Sequence, residues 1–97
     1  MLIENLFNIE YKDENKAVIK LCDENHPVFK AHFPDYPILP GFINFEIVTK
    51  IFGVEFKTIK RAKFLKAIHP NETVTYIKKN NNFNVFCKDE KVASFQL

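Results

Sequence analysis

Three prolines fall within seven residues, Pro34-Asp35-Tyr36-Pro37-Ile38-Leu39-Pro40, with His32 and Phe33 just before them and Gly41 just after. Each proline fixes φ, lacks an N–H, and pushes the preceding residue towards extended backbone. Neither a regular helix nor a central strand can pass through such a stretch, so it has to be a stiff, ordered loop. The loop starts near a histidine. It ends in Pro40-Gly41 at the head of an apolar run that carries Glu46 in its second turn. A histidine and a carboxylate near a helix N-terminus can abstract a proton, donate one and stabilise an oxyanion in one small space.

The segments on either side read as strands around one helix. Phe7, Ile9 and Tyr11 alternate with Asn8 and Glu10, as in a half-buried strand. Asp13-Glu14-Asn15 is a turn signal. Residues 16–22 form a second strand with Ala17, Ile19 and Leu21 on one face, so the two make a hairpin. Asp23-Glu24-Asn25-His26-Pro27 ends it. Residues 41–52 are the one good helix pattern: apolar residues cover most of the circumference, Glu46 and Lys50, with Thr49 beside them, make a narrow polar sector, and Asn44 falls among apolar neighbours. A helix of that kind is a buried helix, and Gly53 is a natural stop. Residues 56–68 return to a strand pattern, with Ala62, Phe64 and Ile68 of one parity. After the turn His69-Pro70-Asn71-Glu72, residues 73–79 present Val74 and Tyr76 on one face. Phe83, Val85 and Cys87 follow beyond Asn80-Asn81-Asn82, and residues 92–97 close the sheet after Asp89-Glu90-Lys91. The order β-β-loop-α-β-β-β-β predicts an α+β fold, a curved antiparallel sheet wrapped around one helix.

Ninety-seven residues make one domain, spanning 1–97, and a chain this short gains from self-association. Eleven phenylalanines bring more apolar area than a small core needs, which points to an apolar interface or ligand tunnel as well. The net charge of +2 gives no case for nucleic-acid binding. Cys22 and Cys87 lack metal-type spacing and read as free thiols of a reducing, cytoplasmic compartment. The first residues carry no basic region or long apolar stretch, so no signal peptide is expected. No window approaches a membrane span.

The run from Asn25 to Gly41, with Glu46, resembles the signature of 3-hydroxyacyl-[acyl-carrier-protein] dehydratases of the FabA/FabZ type, H-F-P-x-x-P-x-x-P-G-x-x-x-x-E. Every specified position is filled here. The stretch Ala62 to Pro70 is similar to the family's post-helix strand and proline turn. The resemblance implies the hotdog fold and a dimer, or higher even oligomer, whose sheets join edge to edge. It implies a composite active site, with the histidine from one subunit and the acid from its partner's helix. It also implies a substrate carried as a thioester on the phosphopantetheine of an acyl carrier protein, in fatty-acid or related acyl-chain synthesis, with no metal or redox cofactor. Three features depart from the pattern: the chain is much shorter than a typical member, with little before the first strand; Ala31 stands where the family usually has glycine; and Gly53 follows the helix early.

Under this resemblance His32 is the base that takes a C2 proton and Glu46 the acid that protonates the leaving hydroxyl. The Gly41 N–H receives the enolate oxygen, and Phe33 and Pro40 border the substrate. Histidine is the side chain whose unperturbed pKa suits a base near neutrality. A partly desolvated glutamic acid serves as a donor, and an N–H at a helix start lies at the positive end of the dipole. The plainer alternatives are a loop histidine, a surface Glu46–Lys50 pair and a helix-start glycine. His26 and His69, each before a proline, read as structural. Asn44 either lines a pocket or bonds to backbone. Lys60, Arg61 and Lys63, flanked by Lys57 and Lys66, read either as a landing patch for an acidic carrier protein or as the solvated lysines of an edge strand. The competing functions are a hotdog thioesterase or isomerase, and a silent acyl-binding protein.

Overall fold

The computed structural model describes residues 3–31, 35–55 and 58–97. His32, Phe33, Pro34, Phe56 and Lys57 lie outside them. Among the described residues the elements are β1 (Phe7–Lys12), β2 (Lys16–Leu21), α1 (Pro27–Lys30), α2 (Ile43–Phe52), β3 (Lys60–Phe64), β4 (Thr73–Lys79), β5 (Asn82–Cys87) and β6 (Glu90–Gln96). The strands form one sheet in the order β1-β2-β4-β5-β6-β3, with every neighbouring pair antiparallel.

Five of the ten residues of α2 are β-branched (Ile43, Ile47, Val48, Thr49, Ile51), so intrinsic propensity does not make this helix. Burial does. Ile43, Phe45, Ile47, Val48 and Ile51 are all buried, in one core with Ala17, Ile19 and Leu21 of β2, Val74 and Tyr76 of β4, and Phe83 and Val85 of β5. Each such side chain contributes about 1.5–3 kcal/mol, more than the ~1 kcal/mol of a hydrogen bond. A row of rings runs beneath the helix. Phe52 lies against Phe83 at 5.9 Å, Phe83 stacks on Phe95 at 5.3 Å, Phe95 meets Phe45 edge-on at 4.9 Å, and Phe45 reaches Phe64 at 6.1 Å. Gly53 ends α2 with φ 66°, its N–H bonded to the Thr49 carbonyl at 3.0 Å. That left-handed cap is the stop the sequence signals.

The inner faces of β2, β4 and β5 are as the alternation predicts. Both edge strands differ. In β1 only Phe7 is half-buried, while Ile9 and Tyr11 are 51% and 49% exposed. The register slips between Ile9 and Tyr11, so Tyr11 pairs with Val18 and turns to the outer face; Ile9, opposite Ile19, sits on an edge the core does not cover. The strand expected over 56–68 is shorter, at Lys60–Phe64, and all of it is exposed. A second slip lies between Lys60 and Lys63, where Arg61 has φ 53°. Ala62 and Phe64 are therefore exposed, and Ile68 is buried beyond the strand's end. A short helix, α1, replaces part of the expected turn. Pro27 occupies its first turn, and His26 caps it, Nδ1 accepting from the Val28 N–H at 3.0 Å and Nε2 donating to the Glu4 carbonyl at 2.7 Å. His26 is thus a structural residue. Cys22 and Cys87 are free thiols. No helix among the described residues is long and apolar enough to cross a membrane.

Candidate active site

The proline-rich loop is tied down where it approaches α2. The Leu39 N–H donates to the Ile68 carbonyl at 2.7 Å, and His69 Nδ1 donates to the Pro37 carbonyl at 3.3 Å. The His69 ring also meets Tyr36 edge-on at 5.2 Å, so His69 braces the loop. The chain then enters α2 through a tight turn. The carbonyls of Pro40, Gly41 and Phe42 accept from the N–H groups of Ile43, Asn44 and Phe45 at 3.0, 3.1 and 3.1 Å. The helix expected from residue 41 therefore opens with three-residue bonds before becoming regular at Ile43.

This turn sets the direction of the Gly41 N–H. In a trans peptide the N–H points opposite to the C=O. The Pro40 carbonyl points along the helix towards Ile43, so the Gly41 N–H points back out of the helix N-terminus. No described residue accepts it. It lies at the positive end of the helix dipole, where a developing negative charge is stabilised.

Gly41 borders a cleft of about 510 Å³ walled by Ile38 and Leu39 of the loop, Phe64 at the end of β3, Ile68, and Ala93 of β6. The Phe64 ring lies against Gly41: a Cβ there would be 2.8 Å from Phe64 Cζ and 3.0 Å from both Cε atoms. Glycine is needed at this position for close approach, since its φ is not in the left-handed region. Pro40 is half-buried and enters the turn through its carbonyl. Phe33 lies outside the described residues, as does His32, the residue expected to be the base.

Asn44 is 1% exposed and is the buried polar residue among those described. Its Oδ1 accepts from the Tyr76 hydroxyl at 2.7 Å, and its Nδ2 donates to the Gly41 carbonyl at 3.2 Å. Both alternatives open for Asn44 hold: it borders the cleft and bonds to backbone. Tyr76 reads from the sequence as plain core. Burial holds its phenol well above the usual range, so it stays a donor. The signal that could have paired the two is that a buried tyrosine tip and a buried amide both need partners.

Glu46 is half-buried on α2. At about 100° per residue it is turned about 160° from Asn44, and it does not line the cleft that Gly41 borders. Nothing among the described residues hydrogen-bonds or ion-pairs with its carboxylate, so the surface pair with Lys50 is not formed. One turn before it, Phe42 is 48% exposed.

The basic segment divides. Arg61 and Lys63 share a cleft of about 360 Å³ with Lys79 and Lys91, and no carboxylate lines it. Lys60 borders a different cleft, which contains Glu55. Lys66 is paired with Glu90 at 2.7 Å. Strand alternation separates what looks like one cluster in the sequence.

Comparison with known proteins agrees with this architecture. The ApeI:P dehydratase heterocomplex from Xenorhabdus doucetiae superposes with a TM-score of 0.66 at 22% identity, over 92% of this chain and 90% of that one. The E. coli PaaI protein from the phenylacetic acid degradation operon superposes with a TM-score of 0.63 at 14% identity, over 98% and 83%. The fold is the hotdog fold, in the form used by the FabZ-like dehydratases. A sequence model of the ApeI-like dehydratases, described as ApeI dehydratase, matches residues 9–96, and the chain belongs to that family. It is similar to two proteins named 3-hydroxyacyl-[acyl-carrier-protein] dehydratase FabZ. The one from Rhodopseudomonas palustris (strain TIE-1) is 32% identical over 91 residues, covering 78% of this chain and 60% of the relative. The one from Sinorhizobium fredii is 34% identical over 102 residues, covering 87% and 66%. The chain thus spans about 60% of the length of the first of these relatives.

The contact between Gly41 and Phe64 is measurable. Gly41→Ala should lower stability by on the order of 1 kcal/mol as the ring is displaced, and should cost nothing in a Phe64→Ala background. Urea unfolding of the four proteins measures the coupling. An equal cost in both backgrounds would mean that the ring does not limit position 41.

Proposed function

We propose that the chain dehydrates a 3-hydroxyacyl thioester, carried on acyl carrier protein, to the trans-2-enoyl thioester. The observation that carries this reading is the unengaged Gly41 N–H, aimed out of the α2 N-terminus beside an apolar cleft. The names of the FabZ relatives supply the substrate class. His32 takes a C2 proton, and its electron pair forms the C2–C3 double bond. The C3–O bond breaks, and Glu46 protonates the departing hydroxyl, which leaves as water. The thioester oxygen carries the transient charge and is held by the Gly41 N–H. An elimination of water exchanges no electrons with a carrier, so the reading calls for no redox cofactor, and in it His32, Glu46 and the Gly41 N–H fill the roles of base, acid and charge stabiliser without a metal.

A second copy of the chain completes the site in this reading. Glu46 does not line the cleft of its own chain, although Phe42, one turn before it on the same helix face and exposed, borders that cleft. The whole of β3 is an open sheet edge. Joining two such edges covers both and brings Glu46 of one chain towards the loop of the other.

A 3-hydroxyacyl thioester mixed with the protein should develop conjugated enoyl absorbance without releasing free thiol. Thiol release would mean a thioesterase, and neither signal a binding protein. His32→Ala and Glu46→Gln should each lower kcat by about 10²–10⁴-fold while the circular-dichroism spectrum is unchanged, and the two losses should be far from additive. Full activity in either variant would remove that residue from the chemistry.

The cleft of Arg61, Lys63, Lys79 and Lys91 is the surface we assign to the acidic carrier protein. Arg61→Glu with Lys91→Glu should weaken use of the carrier-bound substrate and flatten its salt dependence, leaving a small thioester mimic unaffected. Lys60→Glu should do less. An equal loss on both substrates would mean that the charges do not act through docking.

A further inference from the structure

The core of this protein is built from phenylalanine, isoleucine and valine, yet one buried polar chain crosses it. It begins at Tyr76 on β4, in the middle of the sheet, passes through Asn44 on α2, and ends at the Gly41 carbonyl. Tyr76 is fully buried and Asn44 is 1% exposed. Every buried side-chain polar atom among the described residues has a partner. Such a chain is not there for stability, since apolar residues of the same shape fill a core at least as well. A fully satisfied buried network fixes geometry instead.

What it fixes is the entry to α2. The Gly41 carbonyl accepts twice from one residue, from the Asn44 backbone N–H at 3.1 Å and from its Nδ2 at 3.2 Å. Gly41 has no side chain to hold it, and the residues on either side are a proline and the exposed Phe42. Backbone bonds close the opening turn and the Leu39 N–H holds the loop to Ile68, but none of them ties the Gly41 peptide to the centre of the sheet. With the amide, the Gly41 peptide is tied through Asn44 to the most central part of the sheet. The tyrosine supplies the second constraint: its hydroxyl holds Oδ1, which leaves Nδ2 as the amide edge facing Gly41.

We propose that Tyr76 and Asn44 are positioning residues, a buried relay from the centre of the sheet that holds the Gly41 N–H in register for the substrate carbonyl. This rests on the dehydratase reading above. Neither side chain takes part in proton transfer. The relay lowers the mobility of the donor, which matters because a misplacement of about 1 Å at a reacting centre costs up to about 10²-fold in rate.

The chain contains two glycines, Gly41 and Gly53, which gives a direct test. A sample labelled with ¹⁵N-glycine shows two amide signals, and Gly41→Ala assigns them. Tyr76→Phe should shift or broaden the Gly41 signal and leave Gly53, at the far end of α2, as an internal control that the fold is intact. The same variant should lose about 10–100-fold in kcat with little change in KM. The double variant Tyr76→Phe/Asn44→Leu removes both polar groups. It should recover stability relative to Tyr76→Phe alone but not kcat. Recovery of kcat together with stability, or an unmoved Gly41 signal in Tyr76→Phe, would overturn the proposal. If the parent protein shows no turnover of a 3-hydroxyacyl thioester, the dehydratase reading fails, and the Gly41 signal still decides whether the relay holds the peptide.

Discussion

A ten-residue helix that is apolar on nearly every side has to be covered, and one curved sheet can cover it from one side only. This constraint organises the molecule. The sheet takes Ile43, Ile47, Val48 and Ile51, and the row of phenylalanine rings fills the space beneath them. The uncovered face carries Phe42, Glu46 and Lys50, and beside it lies the exposed edge strand β3. In our reading that remaining face is where a second copy docks. Its half-buried carboxylate then belongs to the neighbour's reaction.

The helix N-terminus is where fold and chemistry meet. Proline rigidity brings the loop to Gly41, Leu39 and His69 clamp that loop to the segment after β3, and the opening turn points the Gly41 N–H outwards. The Leu39 bond and the opening turn are backbone features, while the proline rings and His69 Nδ1 make the loop's stiffness depend on those side chains. The side-chain contribution is the Tyr76–Asn44 relay and the Phe64 ring over Gly41. The described part of the site is therefore a backbone donor beside an apolar cleft; in the proposed function the proton-transfer groups come from the loop and the partner's helix.

The central strands β2, β4 and β5 were legible in the sequence because each has neighbours on both sides, so strict alternation of buried and exposed residues survives. Edge strands escape that discipline. The slips after Ile9 and around Arg61 reverse the facing of Tyr11 and upset the parity of Ala62, Phe64 and Ile68. A bulge is a matter of φ at one residue, and composition does not announce it. The capping helix α1 was hidden because histidine is not a usual cap residue, although Pro27 marks its first turn. The sequence leaves the role of Asn44 open because its partner, Tyr76, is 32 residues away and meets it only once the sheet closes over the helix. The motif from His32 to Glu46 is read as a resemblance; of it, Gly41 borders the cleft, Glu46 does not, and His32, Phe33 and Pro34 lie outside the described residues. What alternation hid was that Lys60 and Arg61 serve different clefts.

The central claim is that His32 of one chain acts with Glu46 of another, and mixing tests it most directly. His32→Ala and Glu46→Gln are each inactive in this account. Mixed in equal amounts under conditions where subunit exchange is demonstrated, they form about half heterodimers. Each heterodimer pairs an intact His32 with an intact Glu46 at one of its two sites, so roughly one quarter of the parent rate should return. If exchange is complete and no activity returns, the two residues do not meet across an interface, and the composite site is contradicted.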